Sequence, residues 1–295
     1  MAEFQSRYAE VNDMRLHYIS AGTGDLIMFV HGFPEFWLAW EKQLAEFGRD
    51  FQAVAPDLRG YNLSSKPPEV EKYHVKDLIE DLRSLVGQLG HEKCIMVAHD
   101  WGGALAWSVA MRHPAMLAKL IIINSPHPAV FARELLLNPD QQKASQYMLL
   151  LRSAKAERVL SENKFARLMD VLVQFGSKWE MSEDHRLKYI EAWSQPGALT
   201  GSLNYYRASP LYPPTGVKDQ AQIEAVWNLP REMLTVKVPT LVIWGEQDRA
   251  LLTGNLDGLE DYVDDLTVER IPDGTHWVIH EKSERVNALI RDFIA

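Results

Sequence analysis

Ala98-His99-Asp100-Trp101-Gly102-Gly103 constrains the fold of this chain more than any other stretch. It follows the apolar run Cys94 to Ala98 and opens a helical pattern running to about His113. The form, small residue–x–Asp–x–Gly, is that of a strand–turn–helix elbow usually built around serine. Small residues at 98 and 102 let two backbones meet across a sharp turn. Such a turn lifts its apex residue clear of a parallel sheet, at the C-terminal edge where α/β proteins place ligands. An isolated Asp here would be read as an ordinary helix cap. The strand before it and the two glycines after it favour the elbow.

The surrounding rhythm agrees. Leu26 to Val30, Phe51 to Ala55, Cys94 to Ala98 and Leu120 to Ile123 are apolar runs of strand length without strict alternation, as expected for strands buried on both faces. Between them Leu78, Leu82, Leu85, Val86 and Leu89 share one helical face, with Gly90 as a natural stop. The alternation predicts an α/β fold with a mostly parallel central sheet flanked by helices. It breaks after about His127. Residues 129 to 210 carry helical patterns only, clearest over Gln141 to Arg152 and Glu157 to Phe175, and a Pro- and Gly-bearing stretch, Ser209 to Gly216, marks the exit. Strand patterns resume at Thr240 to Trp244 and Leu266 to Ile271, and a last helix starts at a Ser283 cap, with Val286, Leu289, Ile290 and Phe293 on one face. A length of 295 residues suits one core, residues 1–128 and 217–295, interrupted by an all-helical cap over 129–216.

A carboxylate at the elbow changes the chemistry. With a reference pKa near ~3.9 it is charged at neutral pH and needs no base to activate it. It can attack an electrophilic sp³ carbon and form an alkyl ester, which leaves a histidine free to activate water against that ester. The expected base is His276, in Asp273-Gly274-Thr275-His276-Trp277 directly after a strand. Asp248, in Gly245-Glu246-Gln247-Asp248 after another strand, is the expected acid, holding the imidazole in its tautomer, with Glu246 as the competing assignment. Asn124 ends an earlier strand, but an amide cannot serve as the acid. The order Asp100, Asp248, His276 is the one the elbow fold requires. His31-Gly32-Phe33-Pro34-Glu35 ends the first apolar strand, and the Phe33 and Trp101 amides are the expected oxyanion donors. Phe33-Pro34 is a candidate cis bond, and His31 reads as a structural hydrogen-bonding residue beneath the loop.

These motifs resemble those of a known family. His31-Gly32-Phe33-Pro34-Glu35-Phe36-Trp37, Asp57-Leu58-Arg59-Gly60-Tyr61 and His99-Asp100-Trp101-Gly102-Gly103 are similar to the epoxide hydrolases of the α/β-hydrolase superfamily, in the branch with an Asp nucleophile. The resemblance implies two cap tyrosines that bind the epoxide oxygen. Gln146-Tyr147-Met148 and Asn204-Tyr205-Tyr206-Arg207 match the family's patterns and give Tyr147 and Tyr206. Leu199, Leu203 and Tyr206 share a helical face, which favours Tyr206 over Tyr205. Trp37, Trp101, Met148 and Trp277 are expected to line the pocket. The implied reaction turns epoxides into vicinal diols with no metal or organic cofactor.

The same branch contains haloalkane and haloacetate dehalogenases. Trp101 could serve one of them as a halide donor, but Phe33 stands where one group has Asn, and the elbow lacks the Arg of the other. A non-catalytic ligand-binding relative is the third reading.

Composition limits the partners. The formal charge of -9 and the lack of any Lys/Arg run argue against nucleic acid and anionic membranes. No apolar stretch approaches the ~20 residues of a membrane span, and Met1 to Arg7 lacks the marks of a secretory signal. Cys94, the only cysteine, lies in an apolar run and reads as a small buried hydrophobe. The expectation is a cytoplasmic enzyme, monomer or homodimer, acting on a small epoxide and water.

Overall fold

A computed structural model describes residues 3–174 and 179–295. Eight strands form one sheet: β1 (Gln5–Val11), β2 (Met14–Ala21), β3 (Leu26–Val30), β4 (Gln52–Pro56), β5 (Cys94–His99), β6 (Leu117–Ile123), β7 (Thr240–Gly245) and β8 (Leu266–Ile271). Their order is β1-β2-β4-β3-β5-β6-β7-β8. β1/β2 and β2/β4 pair antiparallel; every other neighbouring pair is parallel.

The strands from β3 to β7 are buried on both faces because successive side chains point to opposite sides. Ile27, Phe29, Val97, Ile121, Ile123, Leu241 and Ile243 face one core cluster. Met28, Val30, Met96, Ala98, Leu120, Ile122, Val242 and Trp244 face the other. The first face is covered by α1 (Glu41–Phe47) and by the C-terminal helix over Ser283–Ile294; α2 (Val75–Gln88) and α3 (Trp101–Arg112) cover the second.

β1 and β2 carry no signal in apolar runs. β1 exposes most of its residues, and the pair is closed by Asn12-Asp13, both at positive φ (45° and 63°), the conformation of a two-residue hairpin turn.

Between β6 and β7 the named elements of the described residues are all helices: α4 (Pro128–Leu137), α5 (Pro139–Ala144), α6 (Tyr147–Arg152), α7 (Ala156–Gln174), α8 (Glu183–Ser194), α9 (Ala198–Ala208), α10 (Val217–Trp227) and α11 (Arg231–Leu234). The pattern expected to run from Gln141 to Arg152 is thus two helices, parted at Ser145 and Gln146. Buried Gln141 holds the break in place, donating to Ser145 Oγ and to the Ala250 carbonyl. The expected Glu157–Phe175 helix is interrupted over Glu162–Phe165, where Asn163, Lys164 and Phe165 have positive φ; Phe175 itself lies outside the described residues.

After β8 come α12 (Val278–Glu281) and α13 (Ser283–Ile294). The N-cap of α13 is Lys282, not Ser283. The Ser283 hydroxyl instead accepts from Lys42 Nζ, 3.2 Å away. The loops after β3, β5, β6, β7 and β8 all leave the same edge of the sheet, beside the order reversal at β3. That edge is where this topology gathers side chains from distant stretches of chain.

Candidate active site

β5 ends at His99, and the chain turns at Asp100 with φ +52° and ψ −123° before entering α3. A non-glycine residue in that region is strained by roughly 1–3 kcal/mol, so neighbours must hold it. The Ser125 hydroxyl donates to the Asp100 carbonyl at 2.7 Å, and the Ala104 amide donates to it at 3.0 Å. Two glycines make the approach possible. A Cβ on Gly102 would sit 2.2 Å from the Val30 carbonyl oxygen, and one on Gly32 would sit 2.2 Å from Asp100 Oδ1.

The two oxygens of Asp100 have different surroundings. Oδ1 accepts the Phe33 amide at 2.7 Å. Oδ2 lies 3.6 Å from His276 Nε2, an ion-pair distance longer than a hydrogen bond. The Trp101 amide belongs to the first turn of α3, next to the carboxylate in sequence. The Phe33–Pro34 bond is cis. His31 lies beneath the loop as expected: its Nδ1–H donates to the Gly32 carbonyl and its Nε2 accepts the Leu58 amide at 3.0 Å.

His276 Nδ1 donates to Asp248 Oδ2 at 2.7 Å. Asp248 is buried and fully supplied with donors. Its Oδ1 accepts the amides of Ala250 and Leu251 at 2.8 and 2.9 Å, and its Oδ2 also accepts Asn124 Nδ2 at 2.8 Å. Glu246, the competing acid, instead pairs with Arg270 at 3.1 Å, away from the imidazole.

Electrostatics follow from this packing. Burial alone would lower the His276 pKa, but the Asp248 and Asp100 carboxylates outweigh it and raise it to about 10. Burial pushes Asp100 up, yet His276, His99 and the Phe33 amide hold it below the ordinary carboxylate value. The resting pair is therefore imidazolium and carboxylate.

Tyr147 opens α6 and Tyr206 lies in the last turn of α9. Their ring centroids are 6.3 Å apart, and Tyr206 packs edge-on against Trp101 at 5.1 Å and Phe33 at 5.2 Å. Burial raises both phenols above their usual pKa, helped by the Asp100 charge at Tyr147 and by Tyr147 and then Asp100 at Tyr206, so both stay protonated at neutral pH. Tyr205 is committed elsewhere, its hydroxyl donating to the Arg59 carbonyl at 2.9 Å.

Two cavities, of about 80 and 260 Å³, meet at Asp100, Tyr147 and Tyr206. Trp101, Phe131, Met148 and Leu251 line the smaller; Phe33, Leu151, Leu168, His276 and Trp277 line the larger. Three of the four expected pocket residues are thus cavity walls. Trp37 lines neither: its amide donates to Asp57 Oδ1, and its ring packs against Phe4 and Phe36.

Sequence reasoning missed two features. Asn124, an amide that cannot serve as the acid, donates to Asp248. Glu35 lies in the motif His31 to Trp37, where no local pattern marks its role. It is buried, bonds to His280 and accepts the Tyr189 hydroxyl, and its second oxygen lies 3.6 Å from His99 Nδ1. His280, His99 and Tyr189 come from α12, β5 and α8, contacts that no local pattern announces. Burial pushes the Glu35 carboxyl up, but His280 and His99 hold it ionised, far below its usual value. Among the described residues no group of three or more His, Cys, Asp or Glu side chains could hold a metal ion, and no helix is long and apolar enough to cross a membrane.

Residues 25–283 match the family model for the alpha/beta hydrolase fold. Over 99% of its length the chain is 34% identical to epoxide hydrolase 3 of Xenopus tropicalis, covering 78% of that protein. It is 35% identical over 97% of its length to epoxide hydrolase 4 of Mus musculus, covering 79% of that protein. The crystal structure of a Bacillus megaterium epoxide hydrolase in complex with an inhibitor superposes with a TM-score of 0.91 at 38% identity, covering 98% of this chain and 99% of that one.

Proposed function

Because this chain belongs to the α/β-hydrolase fold family and, within it, to the epoxide hydrolases, we propose that it opens epoxides through an ester on Asp100. The enzyme is a hydrolase of epoxides, and its substrates are a small molecule and water. The observation that carries the mechanism is the meeting of both cavities at one carboxylate and two protonated phenols. A nucleophile that is already charged and two donors that are still protonated are what opening an epoxide under neutral conditions requires.

In this reading Tyr147 and Tyr206 hold the epoxide oxygen. Asp100 Oδ2 attacks a ring carbon, the C–O bond to the ring oxygen breaks, and a tyrosine proton passes to the alkoxide. Oδ1, already bonded to the Phe33 amide, becomes the ester carbonyl. Ester formation cancels the charge on Asp100, one of the two carboxylates that raise the pKa of His276. The imidazolium then sheds its proton, which returns the tyrosinate left by ring opening to its phenol form. Neutral His276, held by Asp248, activates water against the Asp100 carbonyl carbon. The Phe33 and Trp101 amides stabilise the oxyanion. As it collapses, the ester C–O bond breaks, the alkoxide takes the second proton of the attacking water, and a vicinal diol leaves, with Asp100 again a carboxylate and His276 again an imidazolium. Base activation is therefore timed by the first step itself.

The helical segment 129–216 is read as the cap, since it supplies both phenols while the core, residues 1–128 and 217–295, supplies the nucleophile, acid and base. Cytoplasmic location, as a monomer or homodimer, is the reading supported by a lone buried cysteine and a charge spread without basic runs.

The test is a single turnover in H₂¹⁸O with styrene oxide and enzyme in excess. One heavy oxygen is expected in the Asp100 side chain, because water attacks the enzyme's carbonyl carbon and not the substrate. Heavy oxygen in the diol alone would overturn the ester mechanism. Parallel assays with haloalkanes and haloacetates, scored for halide, are expected to give far slower turnover.

A further inference from the structure

Asn124 follows β6 at φ +40°, a left-handed conformation that Asn tolerates better than most residues. It is fully buried. Its Oδ1 accepts the Gly245 amide at 2.8 Å, and its Nδ2 donates to the Gly245 carbonyl at 3.3 Å. The ladder between β6 and β7 ends at Ile123↔Ile243, so this side chain continues the pairing beyond the last strand residues. The same Nδ2 reaches Asp248 Oδ2 at 2.8 Å, the oxygen that receives His276 Nδ1 at 2.7 Å.

We propose that Asn124 is a positioning residue for ester hydrolysis, fixing Asp248 and sharing the carboxylate oxygen that holds His276. This rests on Asp248 and His276 acting as acid and base.

The physical effect has a definite sign. An N–H donor on Oδ2 withdraws electron density that the imidazolium would otherwise receive. With the amide present, His276 parts with its proton more readily once Asp100 is esterified. Without it, Oδ2 grips the imidazolium more tightly and the base is regenerated at higher pH. The other titratable groups facing the imidazole do not depend on Asn124. They are Asp100 at the elbow, His99 of β5 with its ring 4.7 Å away and Glu35 behind it, and Tyr147 of α6, whose phenol is close enough to sense Asp248. Ester formation needs no base, so Asn124 is expected to leave it alone.

The test is Asn124→Gly, which suits the positive φ and removes the amide. Pre-steady-state kinetics with styrene oxide separate ester formation from ester hydrolysis across pH 5 to 10. The acid limb of hydrolysis is expected to move up by about half to one pH unit, slowing hydrolysis at pH 7 roughly 3- to 10-fold. Ester formation is expected to stay within about twofold of wild type, since no acid–base step in it uses His276. If Asn124→Gly does not fold, Asn124→Ser, which lacks the second arm of the amide, is read by the same criteria. An unmoved limb, or equal slowing of both half-reactions, overturns the proposal. His276→Gln run alongside separates this failure from a deeper one. If that variant traps no ester on Asp100, the acid–base reading has failed and not merely the role of Asn124.

Discussion

Asp100 and His276 form a pair whose charges each depend on the other. The raised pKa of His276, about 10, is set against burial by Asp248 and Asp100 together. Converting Asp100 to an ester removes one of those two charges. The expected consequence is that His276→Gln stops turnover after one chemical event. Steady-state diol formation should fall by about 10²–10⁴-fold, while intact-protein mass spectrometry shows Asp100 carrying the mass of one epoxide. Full turnover in that variant would remove His276 from the mechanism. Gly32 gives a second residue-scale prediction. A methyl group at Gly32 would occupy the space of Asp100 Oδ1, so Gly32→Ala must displace the carboxylate or the Phe33 amide. A shift of about 1 Å costs on the order of 10²-fold in rate. Ester formation, followed by stopped-flow tryptophan fluorescence, is the step expected to show the loss, with the circular dichroism spectrum unchanged.

Among the elements, α6 and α9 carry Tyr147 and Tyr206, the proton donors of the proposed mechanism, and the elbow between β5 and α3 carries its nucleophile, Asp100. Replacing Tyr147 and Tyr206 together by Phe keeps the apolar walls and removes both hydroxyls. Epoxide opening is expected to fall by about 10²–10⁴-fold, with the melting temperature within a few degrees of wild type. An active double variant would separate the helices from the chemistry.

How far the sequence discloses these elements depends on the range of the interaction. Strands buried on both faces stand out as apolar runs, as β3 does to the residue, and the pattern at β8, an edge strand mostly open to solvent, also matches its expected limits. β1 is hidden because most of its residues face solvent, and only the Asn12-Asp13 turn marks the hairpin. The break between α5 and α6 depends on Gln141 bonding to Ala250, more than a hundred residues later, which helical periodicity cannot register. The site behaves in the same way. Asp100, Asp248 and His276 are legible because each follows a parallel strand, and such strands deliver their loops to one edge. The hydrogen bond from Asn124 to Asp248 also spans that edge, but an amide in a loop carries no mark of its partner. Trp37 shows the opposite failure: proximity to a motif suggested a pocket wall, while its amide and ring are both engaged elsewhere.

For the molecule as a whole, the site's charges enter the stability of the fold. His276 has a folded pKa of about 10, above its ordinary 6.5. Its contribution is therefore complete below about 6.5 and lost as pH rises through about 10. Asp100 has a lowered pKa, so its contribution is present above the ordinary carboxylate range and lost in more acidic solution. The melting temperature of the ligand-free protein is expected to decline between pH 7 and 10. In Asp100→Asn one of the charges raising the pKa is gone, so the decline should start at the same pH but be smaller and complete at lower pH. Identical curves, followed by differential scanning fluorimetry, would separate this pair from alkaline stability.

In the proposed mechanism Phe33 serves both halves of the reaction at once. Its backbone steadies the oxygen of the attacking group, while its ring leans edge-on against one of the two phenols. A substrate that nudged Tyr206 would press on that ring, and the push would travel along a single residue to the carboxylate. Under the proposed mechanism, donor and attacker would thereby be kept in register by one residue acting as a gauge block. Shaving it to alanine should blur their alignment even though the amide stays in place.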